Sequence, residues 1–159
     1  MAQYNSAEKI KVSDRQMDRV KADGLIIELT DVMTGGRDQQ RYLLYQLRES
    51  LKKADRVDII VSFLMESGVR MILKDLKTAL DRGVQIRILT GNYLGITQPS
   101  ALYLIKKELG NRVDLRFYSD KQRSFHPKSY IFHGKDLSEI YIGSSNVSRS
   151  ALTSGIEWN

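Results

Sequence analysis

The chain is expected to fold as an α/β protein, a mixed β-sheet flanked by helices. Three observations lead there. Short runs rich in β-branched residues alternate with segments whose apolar residues recur at helical spacing. Glycines stand where those helical segments should stop, at Gly83 and Gly110. After the third helix the pattern changes to consecutive strands, which calls for antiparallel members in an otherwise parallel sheet.

The elements follow in order. Residues 1–38 are polar and mixed in charge, with a short apolar stretch at Leu25-Ile26-Ile27 and a turn signal at Gly35-Gly36, and form a lead-in segment. Leu43, Leu44, Leu47, Leu51 and Ala54 share one helical face and predict a helix over about 39–54. Val57 to Leu64 predicts a buried strand. Val69, Ile72, Leu73, Leu76, Ala79 and Leu80 form the stripe of a second helix that Gly83 ends. Val84 to Leu89 is the next strand, and Pro99 opens a third helix that Gly110 closes. Val113, Leu115 and Phe117 alternate with Asp114 and Arg116 as a half-buried strand. Phe125 to Phe132 and Glu139 to Ile142 complete the set as a hairpin turning near Gly134. The main domain therefore covers residues 39–159.

Composition narrows the function. With 159 residues the chain has room for about one domain. It has no cysteine, so disulfides and thiolate metal sites are excluded, and a cytoplasmic setting is expected. No apolar run approaches the roughly 20 residues of a membrane span, and no membrane association is expected. The net charge is +6, and residues 104–135 hold eight Lys or Arg against three acids. That segment would attract a polyanion, with Arg116, Lys121 and Arg123 as candidate nucleic-acid contacts. A G-x-x-x-x-G-K-[ST] phosphate loop does not occur, so the chain itself is no nucleotide-driven motor.

The residues suited to chemistry lie near the end. If Phe125 to Phe132 is one strand, His126 and Lys128 project to the same side and can reach one ligand together. Pro127 donates no hydrogen bond to a sheet, which places the pair at an edge or a strand start. Downstream, Ile140-Tyr141-Ile142 runs into Gly143-Ser144-Ser145-Asn146 and then a short helix over Val147 to Leu152, with Ser145 or Asn146 as its cap. A strand, a turn of small residues and a helix start can cradle a phosphate.

Taken together, His126-x-Lys128, Gly143-Ser144-x-Asn146 and Glu157 eleven positions after the asparagine resemble the signature of the phospholipase D superfamily, including its small bacterial nucleases. Arg87 to Thr97 and Ser150 to Asn159 look like the single-motif domain found at the N-terminus of bacterial superfamily-two helicases and restriction enzymes. The resemblance spans about residues 40–159. It implies a phospholipase D-like α/β/α sandwich, and the family fold would continue into another strand beyond Asn159, so a truncated C-terminus is expected.

The resemblance also implies a mechanism. It makes His126, Lys128, Asn146 and Glu157 catalytic and gives phosphate binding to Lys128, Ser144, Ser145 and Asn146. His126 would attack phosphorus, Lys128 would hold the non-bridging oxygens, and Glu157 would orient His126 through a ring N–H. Family chemistry uses two His-x-Lys motifs and this chain has one, so a homodimer sharing one active site is expected, cleaving DNA with no metal and no cofactor beside a helicase or restriction module. Two other readings remain open: a catalytically inactive DNA-binding or dimerisation module, and a lipid phosphodiesterase. The sequence departs from the family at His133, where the motif has Asp. Strand alternation puts His133 on the face opposite His126, and as an exposed turn residue it would matter little to the chemistry.

Overall fold

The structure, a computed structural model, describes residues 18–22, 25–29, 39–120 and 122–159. Two compact units divide the chain, residues 1–31 and 32–159. The first contains a β-hairpin of β1 (Asp18–Ala22) and β2 (Leu25–Leu29), paired antiparallel with Ala22 opposite Leu25. The lead-in segment therefore holds a pair of strands. Asp23-Gly24 between them in the sequence is the two-residue hairpin signal that announces it.

The second unit is built on a five-stranded sheet in the order β5-β4-β3-β6-β7. Its strands are β3 (Arg56–Val61), β4 (Gln85–Gly91), β5 (Val113–Tyr118), β6 (Lys128–His133) and β7 (Ser138–Ile142). β3, β4 and β5 are parallel, while β6 runs antiparallel to both β3 and β7. Parallel neighbours need long crossovers, and two helices supply them. α2 (Glu66–Asp81) links β3 to β4, and α3 (Pro99–Leu109) links β4 to β5. α1 (Leu43–Lys53) precedes β3, and α4 (Arg149–Leu152) follows β7. This is the mixed sheet with flanking helices that the alternation of strand and helix patterns predicts.

One apolar core joins the helices to a single sheet face. Leu43, Leu47 and Leu51 of α1, Val69, Ile72 and Leu76 of α2, and Ala101, Ile105 and Leu109 of α3 pack on Val57, Ile59, Val61, Ile86, Ile88, Tyr130 and Phe132. The strand residues in that set are spaced by two, as one face of a pleated sheet requires. The helix stops lie where the glycines put them: Gly83 and Gly110 have φ of 89° and 64°, a region costly for any residue with a Cβ. The 134–137 turn of the hairpin is closed by Gly134 N–H donating to Leu137 O at 3.2 Å.

The topology creates one functional end. After β5, at the sheet edge, the chain crosses over β4 and β3 to enter β6 on the far side. The crossing segment, residues 119–127, passes the carboxyl ends of the parallel strands, because the start of β6 at Lys128 pairs with the last residue of β3, Val61. Crevices at the carboxyl ends of such strands are where open α/β sheets place ligands. The end of β7 returns to the same place, where Gly143 N–H donates to Lys128 O at 3.3 Å.

Candidate active site

β6 begins at Lys128, so His126 belongs to the crossing loop and not to the strand expected over Phe125 to Phe132. Pro127 occupies the position just before the strand, consistent with its missing N–H, but β6 lies inside the sheet between β3 and β7 and is no edge. Its carbonyl accepts from Ser62 Oγ at 3.1 Å, which ties the loop to the end of β3.

The two side chains meet as the His-x-Lys spacing predicts. Lys128 Nζ lies 2.9 Å from Nε2 and 3.1 Å from Nδ1 of His126, and donates to the His126 carbonyl at 3.0 Å. Which of the two ring nitrogens accepts from the ammonium depends on the tautomer of the imidazole. Lys128 is buried while His126 is exposed. Burial lowers the Lys128 pKa from its ordinary value, and the Glu157 carboxylate opposes that shift. An ammonium held with so little water is a strong receptor for an incoming anion. Tyr93 completes the surroundings, its ring tilted 46° against His126 with centroids 4.3 Å apart.

The Gly143 to Asn146 turn lies alongside, but its groups are used differently from the phosphate cradle expected of them. Ser144 is exposed; its hydroxyl donates a short bond to Glu157 Oε2 and accepts from Trp158 N–H at 3.1 Å, and its own N–H donates to Trp158 O at 2.8 Å. Ser145 is fully buried. Its N–H donates to Asn159 Oδ1 at 3.4 Å, its hydroxyl donates to Ala151 O at 3.3 Å and accepts from Asn159 Nδ2 at 3.0 Å, and its carbonyl accepts from the Tyr130 hydroxyl. With its N–H, hydroxyl and carbonyl all engaged inside the fold, Ser145 is a structural hub. Asn146 is buried, with its Oδ1 accepting from Phe63 N–H at 3.2 Å. The cap of α4 is Ser148, whose Oγ accepts from Ala151 N–H, in place of Ser145 or Asn146.

Glu157 meets Ser144 here, where the resemblance implies a bond to the His126 ring. Its carboxylate bonds Ser144, and among the described residues the His126 ring is held by Lys128 and Tyr93. Glu157 is thereby joined to the Gly143 to Asn146 turn, and its charge raises the Lys128 pKa. The close packing behind the turn depends on glycine. A Cβ on Gly68 of α2 would collide with the backbone of Val147, and one on Gly143 with the Trp158 carbonyl. Val147 in turn bridges to Leu64 beyond β3 and accepts from Met65 N–H at 2.9 Å.

His133 lies on the opposite sheet face from Lys128, as alternation requires, but it is no free turn residue. It ends β6, and its Nε2 is 3.0 Å from Asp58 Oδ2 and 2.9 Å from Arg56 Nη2. Asp58, buried on β3, is also gripped at both oxygens by Arg87. Nothing in the local sequence announces this cluster, because its members come from three strands.

Of the nucleic-acid candidates, Arg116 is exposed but pairs with Asp114 on the sheet face away from the core, Arg123 is exposed in the crossing loop, and Lys121 lies outside the described residues. Among the described residues no group of three or more His, Cys, Asp or Glu side chains is arranged to hold a metal, and no helix is long and apolar enough to cross a membrane.

No curated protein matches the chain. Among solved structures, a polyphosphate kinase from Porphyromonas gingivalis superposes with a TM-score of 0.56 at 17% identity, covering 83% of this chain. The archaeal chromatin protein TrmBL2 gives 0.46 at 20% identity over 81% of this chain and 43% of its own. The chain spans 19% of the kinase's length, and at that identity the likeness is one of fold. A family model described as "Cardiolipin synthase, PLD-like domain" matches residues 47–159, more than two thirds of the sequence and all of the His126, Lys128, Asn146 and Glu157 positions. The chain belongs to the phospholipase D-like domain family, whose chemistry is phosphoryl transfer and hydrolysis.

Proposed function

We propose that the chain is a phosphodiesterase domain that cleaves DNA through His126 as nucleophile, without a metal, within a helicase or restriction-type protein. The observation that carries this reading is the Lys128 ammonium lying against both nitrogens of the exposed His126 ring, at the carboxyl end of the parallel strands. The His126 nitrogen attacks phosphorus while Lys128 and the Asn146 amide hold the non-bridging oxygens. The P–O bond to the leaving sugar breaks, and a second imidazole protonates the departing oxygen. That imidazole then takes a proton from water, the oxygen of which displaces His126 and releases a phosphomonoester.

One chain carries a single such histidine beside a lysine, so the second comes from the partner subunit in a two-fold dimer. Arg123, exposed in the same crossing loop as His126, favours a polyanionic substrate.

The test is to trap the covalent intermediate. Incubation with a DNA phosphodiester in the presence of chelator, followed by alkaline quench and peptide mass analysis, should place a phosphoryl adduct on His126, and His126→Ala should lose roughly 10²–10⁴-fold in cleavage rate. Cleavage abolished by chelator, an adduct on another residue, or turnover of phosphatidylglycerol with none of DNA would overturn the reading.

A further inference from the structure

Beside His126 lies a second feature that phosphodiester chemistry leaves unused. A cleft of about 540 Å³ opens between the loop after β4 and the crossing loop, walled by Tyr93, Leu94, Phe117, Tyr118, Arg123 and Phe125. Its floor is built. Phe125 stacks on Tyr118 with centroids 4.8 Å apart, and its ring lies so close over Gly91 that a Cβ there would approach it to 2.9 Å. The rim on the β4 side is pinned, since Thr97 donates a short bond to the Gly91 carbonyl and accepts from Leu64 N–H. In that loop Leu94 adopts a left-handed backbone, with φ of 51°, and leaves its side chain 79% exposed. Phe117, on the edge strand, is 45% exposed. Exposed apolar side chains on a strained and anchored loop are costly to keep unless they meet a ligand.

We propose that this cleft holds one unstacked nucleobase of a single-stranded substrate, immediately next to the phosphate bound at His126. This rests on the phosphodiesterase reading and names the substrate form. Tyr93 belongs to both places, packing on His126 and lining the cleft, so a base seated there is continuous with the phosphate site. Arg123 supplies charge for the adjoining backbone: its side chain is 83% exposed, and the Asp120 beside it is tied down by the Gln122 N–H at 2.8 Å and the Tyr118 hydroxyl. Asn92 and Gln122 on the lining can hydrogen-bond a base edge, which an acyl chain has no use for. Aromatic faces with a cationic rim are how unpaired bases are held, and a base in a duplex must first be unpaired and unstacked to enter, which disfavours duplex binding.

The experiment uses His126→Ala, so that binding is read without cleavage, and a single-stranded oligonucleotide carrying 2-aminopurine. Stacking should quench its fluorescence, and the same probe in a duplex should bind far more weakly. Phe117→Leu, which keeps the fold and much of the apolar area, should weaken single-strand binding roughly 5- to 150-fold, while Phe117→Trp retains it. Equal affinity for duplex and single strand, absence of quench on a bound oligonucleotide, or indifference to Phe117→Leu would overturn the proposal. Hydrolysis of bis(p-nitrophenyl) phosphate by the unmodified protein, a substrate with no base, separates the two failures: its absence counts against the phosphodiesterase reading, and a missing quench beside intact hydrolysis counts against the base subsite alone.

Discussion

His133 Nε2 lies 3.0 Å from Asp58 Oδ2, at the opposite end of β6 from Lys128 and on the opposite face. Five residues of strand put His133 about 17 Å from the lysine. Whatever stands at this position, the family's Asp or this chain's His, cannot touch a phosphate held at His126. His133→Asp should therefore leave turnover within about twofold of the unmodified protein when measured per folded molecule, since only a larger change would exceed ~0.4 kcal/mol at the barrier. A tenfold change in kcat would show that the position reaches the site.

Asp58 is the anchor of that cluster. The hydrogen bond from Arg87, and after it the bond from His133, hold its carboxyl below the usual carboxylate range against the cost of burial. Replacing it with asparagine removes the carboxylate that Arg56, Arg87 and His133 share, and should cost about 1–3 kcal/mol in denaturant unfolding. Because the folded-state pKa is depressed, the stabilisation is fully present above the ordinary value of 3.8 and is lost as pH falls through the lower folded value. The gap between Asp58→Asn and the unmodified protein should therefore be constant near neutrality and close only in acid. A gap that closes on raising the pH would contradict the assignment.

The Lys128 charge sets an upper pH limit for anion binding. Burial lowers its pKa and Glu157 raises it, so Glu157→Gln removes the opposing influence and should move the alkaline limb of kcat/KM to lower pH. The measurement is a pH profile of the variant beside the unmodified protein. A limb that stays in place while activity falls uniformly would assign Glu157 to Ser144 alone.

Gly68 holds the turn that carries Asn146. A methyl group there meets the Val147 carbonyl carbon and the Ser148 nitrogen, both backbone atoms that cannot swing aside. Gly68→Ala should destabilise by about 1–3 kcal/mol, the usual cost of overpacking, even though alanine favours helix more than glycine does. Thermal unfolding checks it, and an unchanged or raised Tm would mean that α2 and the turn can separate freely.

Much of this was legible in the chain, and the particulars show why. The stripes of α1, α2 and α3, the stops at Gly83 and Gly110 and the β6-β7 hairpin are local patterns, decided by residues three, four or two apart. His126 and Lys128 were readable because they stand two positions apart, with Pro127 between them to disfavour a helix. The strand expected through Phe125 began later, since the crossing loop must clear the ends of β3 and β4 before β6 can pair. The hairpin of residues 18–29 was missed although Asp23-Gly24 marks it. Ser145 looked like a phosphate ligand because a small polar residue after a strand serves either purpose, and only its bonds to Asn159, Ala151 and Tyr130 assign it to structure.

By itself the sequence determined the order and kind of the elements and the pairing of an imidazole with an ammonium, because backbone periodicity is carried by near neighbours. Tertiary structure alone decided which distant groups meet, at that pair and elsewhere in the sheet. Glu157 turned to Ser144, Tyr93 came from the loop after β4 to lie on His126, and Asp58, Arg87 and His133 converged from three strands. Such meetings depend on strand order and register, and the five-stranded order β5-β4-β3-β6-β7 brings together residues that no spacing along the chain connects.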